Sequence, residues 1–90
     1  MLNIRFSKLA KKFVEKVPPK HRRQIVSKSI SLKDDPLPSD SKHLKGFLGY
    51  FRVDIGEYRI IYTILEPKIT IELIGKRNDD EVYRKFKRLM

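Results

Sequence analysis

The stretch that decides the fold is FRVDIGEYRIIYTI, residues Phe51–Ile64. Apolar and polar side chains alternate on both sides of Gly56-Glu57, which is typical of two β-strands joined by a tight turn. In the second strand Ile60 and Tyr62 point to one face of the sheet, whereas Arg59 points to the other. A strand that only had to pack would not need arginine here. The hairpin therefore predicts both a sheet and a surface that its cations face.

The sequence on either side of this hairpin predicts the remaining elements. Ser7 is a good N-cap for a helix whose apolar residues recur at helical spacing, and Pro18-Pro19 separates that helix from a second one. Asn78 or Asp79 could cap a short C-terminal helix. The predicted elements are strands over residues 2–6, 50–56, 58–65 and 69–75, helices over residues 8–17 and 19–33, and a C-terminal helix with Val82, Phe86 and Leu89 on one side.

This order, β-α-α-β-β-β with a short C-terminal helix, predicts an α+β fold with two N-terminal helices packed on one face of a small, mostly antiparallel sheet. A chain of 90 residues is enough for one domain, which we expect to span residues 1–90. Ile61 shares the face of Arg59, so both faces of the central strand carry apolar residues and the helices can cover only one of them. Tyr58 and Tyr62 are expected to be core aromatics, and His21 and His43 to be surface residues.

The net charge points to a polyanionic partner. Lysine and arginine number 21 against 11 acidic residues, which gives a formal charge of +10 at pH 7. Repulsion of this size destabilises a compact state, so nucleic acid is the first candidate partner, an acidic protein the second and a membrane surface the third. A merely solvated basic surface is the alternative.

Composition argues against several other classes of protein. There is no cysteine, so disulfides and thiolate metal sites are excluded, and two histidines far apart in sequence do not predict a zinc site. We therefore expect no metal and no cofactor. No apolar run approaches the roughly 20 residues of a membrane span, and the N-terminus lacks the apolar core of a secretory signal. A cytoplasmic protein is expected.

Three short motifs occur in order along the chain. They are Leu44-Lys45-Gly46, an Arg-x-x-x-Gly-x-Tyr-Arg hairpin over residues 52–59, and a Gly-x-Arg…Val-Tyr segment over residues 75–83. Together they make the whole chain resemble the RelE/ParE superfamily of small bacterial and archaeal toxins. The resemblance implies one of two activities: RelE-like members cut mRNA in the ribosomal A site, and ParE-like members inhibit DNA gyrase. It also implies a cognate antitoxin, with which a heterotetramer is one expected assembly.

RNA cleavage of the first kind is an attack by the neighbouring 2′-hydroxyl on the scissile phosphate. It needs a base for that hydroxyl, cations for the phosphorane and an acid for the leaving oxygen, and it requires no metal. The resemblance implies that Arg59 lies at the scissile phosphate, that Arg77 is a second phosphate clamp and that Tyr83 is the base or a stacking platform. These three are the candidate catalytic residues. The candidate RNA-binding residues are Lys45, Arg52, Lys76, Arg84, Lys87 and Arg88.

Two positions depart from the family pattern. Asp54 stands where the ribosome-dependent RelE prototype has lysine, and it could pair with an arginine and orient it, act as a base, or mark the loss of that mechanism. Lys76 stands where several relatives place histidine. The leading hypothesis is a ribosome-dependent mRNA endonuclease that acts without metal, with the ribosome, mRNA and an antitoxin as partners. A ParE-like gyrase inhibitor and a degenerate, non-catalytic RNA-binding module are the alternatives.

Overall fold

The computed structural model describes residues 2–77 together with Arg84 and Arg88. Within these residues two helices and five strands follow the predicted order, with one short strand added. Their bounds are β1 Asn3–Phe6, α1 Lys8–Lys16, α2 Pro19–Ser31, β2 Lys42–His43, β3 Tyr50–Ile55, β4 Tyr58–Leu65 and β5 Lys68–Lys76. Arg84 and Arg88 have helical backbone, and the apolar residues assigned to the C-terminal helix (Val82, Phe86 and Leu89) lie outside the described residues.

The five strands form one sheet in the order β1-β5-β4-β3-β2. The β1–β5 pair is parallel and the other pairs are antiparallel, so the predicted α+β fold with a mostly antiparallel sheet is confirmed. The hairpin predicted over residues 51–64 is β3–β4, and its turn contains Gly56 at a φ of +57°. Glycine has no Cβ and adopts this left-handed conformation without strain.

The sheet has a different apolar cluster on each face. Both helices cover one face, where Tyr62, Ile60 and the isoleucines of β5 are buried together with Ala10 and Ile25. On the other face the loop after β2 covers a smaller cluster made of Leu44, Ile61 and Leu73. The loop after β2, and not a helix, therefore shields Ile61 from water.

Hydrogen bonds fix both ends of α1. Ser7 caps α1 by accepting a hydrogen bond from the backbone N–H of Ala10 at 3.1 Å. The guanidinium of Arg22 donates to the carbonyls of Val14, Glu15 and Val17 at 3.0–3.2 Å. The last carbonyls of a helix lack partners within the helix, so Arg22 closes the C-terminal end of α1.

The tyrosines behave as predicted, and one histidine does not. Tyr58 and Tyr62 are buried, and the Tyr62 hydroxyl donates to the carbonyl of Pro36 at 2.8 Å. His43 is exposed, as expected, and its ring lies against Phe51. The expectation that His21 is a surface residue is wrong, because His21 is half-buried and its Nδ1 lies 2.6 Å from the Tyr58 hydroxyl.

Candidate functional site

An ion pair on the sheet face opposite α1 and α2 joins two of the residues singled out by the sequence. Asp54 on β3 and Arg59 on β4 are register partners, so their side chains leave the sheet on the same side. Arg59 Nε donates to Asp54 Oδ1 at 2.7 Å and Nη2 donates to Oδ2 at 3.1 Å. Only 14% of the Arg59 side chain is exposed, against 30% for Asp54. This two-point geometry fixes the plane of the guanidinium.

Arg77 approaches the same carboxylate from the end of β5. Its Nε lies 4.0 Å from Asp54 Oδ2, and its side chain is 51% exposed. The backbone N–H of Arg77 donates to Glu57 O at 3.0 Å, and Nη1 donates to Gly56 O at 3.2 Å. The β3–β4 turn thus holds Arg77 in place, and two arginines 18 positions apart in sequence converge on one acid.

These arginines determine the ionisation of Asp54. The hydrogen bonds from Arg59 lower the pKa of Asp54 below its ordinary 3.8, although partial burial acts in the opposite direction. The positive charges of Arg59, Arg77 and Arg52 lower this pKa further. Asp54 is therefore a carboxylate at neutral pH, with both oxygens already accepting hydrogen bonds from Arg59.

Arg52 extends the site towards the edge of the sheet. It lies two residues before Asp54 on β3, on the same face, and its register partner on β2 is Lys42. Sequence reasoning did not identify Lys42, because a strand of two residues shows no periodicity that would assign it to a face. We call Lys42, Arg52, Arg59 and Arg77 the cationic strip.

The remaining predicted RNA-binding residues are not members of the strip, and Lys76 lies on the opposite face of the sheet. Lys45 is exposed in the loop that covers the second apolar cluster. Lys76 pairs in register with Tyr58, so its side chain leaves β5 on the helix-bearing face, opposite to Arg59. Arg84 is exposed. Tyr83 and Lys87 lie outside the described residues.

Lys76 contributes instead to a groove between α1 and the sheet. This groove has a volume of about 730 Å³. Its apolar lining includes Leu9, Phe13, Val17, Tyr58 and Ile74, and the cations beside them are Lys12, Lys16, Lys76 and Arg88. We call it the α1 groove. Residues 2–77, 84 and 88 therefore form a basic surface on each face of the sheet.

The chemistry available to the cationic strip is that of guanidinium and ammonium groups. Among residues 2–77, 84 and 88, no group of three or more histidine, aspartate and glutamate side chains could hold a metal ion. Arginine stays protonated and can grip a phosphate at two points. The strip is thus suited to binding and polarising phosphate groups. In the part of the chain that the structure describes, no helix is long and apolar enough to cross a membrane.

Known proteins share both the sequence pattern and the fold. The family model described as "ParE toxin of type II toxin-antitoxin system, parDE" matches residues 4–81. A curated relative from Methanocaldococcus jannaschii, "Putative toxin RelE1", is 32% identical over 80 residues, which are 83% of this chain and 89% of the relative.

Solved structures show the same architecture. The toxin–antitoxin complex RelBE2 from Mycobacterium tuberculosis matches with a TM-score of 0.74 at 26% identity, over 84% of this chain and 98% of that one. The archaeal RelE–RelB complex from Pyrococcus horikoshii matches with a TM-score of 0.76 at 24% identity, over 87% and 97% of the two chains. The family model covers most of the chain, and the M. jannaschii relative is similar over most of its length. The chain therefore belongs to the ParE toxin family of type II toxin–antitoxin systems, within the RelE/ParE superfamily.

Proposed function

We propose that this toxin is a ribosome-dependent mRNA endonuclease that cuts in the A site by attack of a 2′-hydroxyl on the adjacent phosphate, without a metal. The observation that carries the proposal is the convergence of Arg59 and Arg77 on the sheet face opposite α1 and α2, where Asp54 forms an ion pair with each. The resemblance to proteins named RelE supports the choice of substrate. Such a toxin would act in the cytoplasm, where mRNA meets ribosomes.

The reaction assigns a role to each member of the site. Arg59 and Arg77 would stabilise the charge that develops on the phosphorane, which is the contribution a preorganised cation makes best. Tyr83 would accept the proton of the 2′-hydroxyl or stack on a base. Asp54 is unsuited to be that base, because the arginines beside it lower its pKa and hydrogen bonds from Arg59 occupy both of its oxygens.

The direct test adds purified protein to ribosomes programmed with a defined mRNA and maps the new mRNA ends by primer extension. Wild type should cut within the A-site codon. Arg59→Ala and Arg77→Ala should each lower the single-turnover rate about a hundredfold or more, since each removes a cation that stabilises the transition state. Tyr83→Phe is assayed in the same experiment. Arg23→Ala removes the same charge from an exposed position on α2 and is the matched control.

Intact mRNA at saturating protein would rule out the proposed nuclease activity.

The second candidate is a ParE-like inhibitor of DNA gyrase, which the description of the matching family model favours. That activity would leave translation intact and block supercoiling by purified gyrase. A protein that binds RNA but does neither would be the non-catalytic module.

We further propose that a cognate antitoxin occupies the α1 groove. The RelBE2 complex from M. tuberculosis and the RelE–RelB complex from P. horikoshii are toxin–antitoxin assemblies by name. An apolar floor edged by lysines suits an amphipathic, acidic helix that folds as it binds. Leu9 lies in this groove and is 45% exposed.

Leu9→Lys should therefore weaken binding to the antitoxin at least tenfold, because it puts a charge on the apolar contact. Leu65→Lys is the control, since Leu65 is 80% exposed and does not line the groove. The measurement is titration calorimetry with the candidate antitoxin encoded beside the toxin. Equal affinities for the two variants would place the antitoxin elsewhere.

A further inference from the structure

We propose that Asp54 is a positioning residue, which fixes Arg59 and draws Arg77 towards it while lowering the affinity of the site for RNA. This inference rests on the proposed nuclease function and assigns a role to the acid that Arg59 and Arg77 both approach. It predicts that removing the carboxylate slows cleavage and strengthens RNA binding. If Asp54 were needed only for folding, its removal would weaken both.

The positioning role follows from the geometry of the pair. An arginine side chain has several rotatable bonds, and ordering it for a reaction costs rotamer entropy unless another contact has already fixed it. Asp54 holds Arg59 at two points, at 2.7 and 3.1 Å, from a register partner on the neighbouring strand. A site supported in this way keeps its groups close to the productive geometry.

Arg77 depends on the same carboxylate more loosely. The turn residues Gly56 and Glu57 hold it through hydrogen bonds, and its Nε lies 4.0 Å from Asp54 Oδ2. With the carboxylate gone, Arg59 and Arg77 would be two like charges that have lost the anion both of them face. We expect them to separate, which would leave a phosphate with two poorly aligned donors.

The effect on RNA affinity has the opposite sign. Arg52, Arg59 and Arg77 surround one negative charge, and all three lower the pKa of Asp54 by their charge. This carboxylate repels an incoming phosphate and competes with it for Arg59. Replacing it with a neutral group raises the local positive charge by one unit, and the affinity of proteins for RNA increases with the number of phosphates they neutralise.

The test uses the full-length toxin carrying Asp54→Asn, which preserves shape and removes charge. Single-turnover cleavage on programmed ribosomes should fall at least tenfold. Affinity for a single-stranded RNA oligonucleotide with 2′-O-methyl groups, which cannot be cut by this mechanism, should rise a few-fold at 50 mM salt. Asp54→Glu keeps the charge and should recover part of the cleavage rate. Asp34→Asn makes the same charge change on an exposed loop and should leave cleavage unchanged.

A second readout reports the positioning directly. The Nε–H of Arg59 donates to Asp54, so its proton NMR signal should exchange slowly with water in the wild type and rapidly in Asp54→Asn. Unchanged exchange, unchanged cleavage, or a parallel loss of cleavage and RNA affinity in the folded variant would each overturn the inference. Absence of cleavage by the wild type would remove the nuclease proposal alone. Arg59 exchange and RNA affinity would then still decide whether Asp54 fixes Arg59 and opposes binding.

Discussion

Asp54 links the stability of the folded toxin to pH. Its pKa in the folded state lies below the ordinary 3.8, chiefly because of the hydrogen bonds from Arg59. A carboxyl group with a depressed pKa stabilises the fold fully above its unfolded pKa, and this contribution is lost as the pH falls through the folded value. The ion pair should therefore stabilise the protein at neutral pH and cease to do so in strong acid.

The measurable consequence is a difference between wild type and Asp54→Asn. Urea unfolding should show the wild type to be the more stable protein at pH 6, and the gap should shrink as the pH drops below about 3.8. Asp34→Asn, on the exposed loop after α2, shows how much of the change follows from losing any carboxylate. A gap that widens in acid would contradict the sign of the pKa shift.

Tyr62 makes a second prediction at the scale of single residues. Its ring is fully buried, and its hydroxyl donates to the carbonyl of Pro36 in the loop after α2. Tyr62→Phe keeps the ring and leaves that carbonyl without this donor, so the free energy of unfolding should fall by about 1 kcal/mol. Urea denaturation at pH 7 measures the difference. An unchanged stability would mean that water replaces the hydroxyl without loss.

The sheet face of a side chain could be predicted from the sequence, whereas its hydrogen-bond partner could not. Strand alternation placed Tyr62 in the core and Arg59 on the opposite face, and both placements are confirmed. The pairing of Asp54 with an arginine was one of three alternatives, because alternation fixes a face but not a partner. The role of Arg22 depends on where α1 ends in space relative to α2, which local sequence does not determine.

At the scale of elements, Ser7 connects α1 to the sheet. Its hydroxyl oxygen accepts from the Ala10 N–H, and the same hydroxyl donates to the carbonyl of Glu72 on β5 at 2.6 Å. Ser7→Ala removes both bonds, and we expect a loss of about 2 kcal/mol in the free energy of unfolding. Ser7→Thr retains the hydroxyl and should lose much less. Equal losses for the two variants, measured by thermal unfolding, would show that the hydroxyl is not the cause.

The sequence did not predict the features that lack a long periodic pattern of apolar residues. The strand β2 has two residues and forms only because β3 offers it an edge. The parallel pairing of β1 with β5 joins segments more than 60 positions apart, and alternation within either strand does not select a neighbour. The loop after β2 is packed because its residues cover Ile61, which only the assembled sheet reveals.

The whole molecule separates its two basic surfaces. The α1 groove lies on the sheet face that α1 and α2 cover, and the cationic strip lies on the opposite face. The strip consists of charged groups around one acid, whereas the groove combines an apolar floor with cations. This difference suits an RNA backbone to the strip and an amphipathic protein segment to the groove. Inhibition by an antitoxin would then not require direct contact with Arg59.

The net charge of +10 gives the prediction that belongs to the molecule as a whole. If the toxin neutralises about six phosphates, its affinity for a single-stranded 2′-O-methyl RNA oligonucleotide should fall about three-hundredfold between 50 and 200 mM salt, because counterions are released on binding. Fluorescence anisotropy across this range measures the slope of log affinity against log salt. Arg59→Ala should reduce the magnitude of that slope by up to about the contribution of one phosphate contact. Arg23→Ala, on the other face of the sheet, should leave the slope unchanged. A flat salt response of the wild type would show that phosphate contacts do not dominate and that the basic surface serves another purpose.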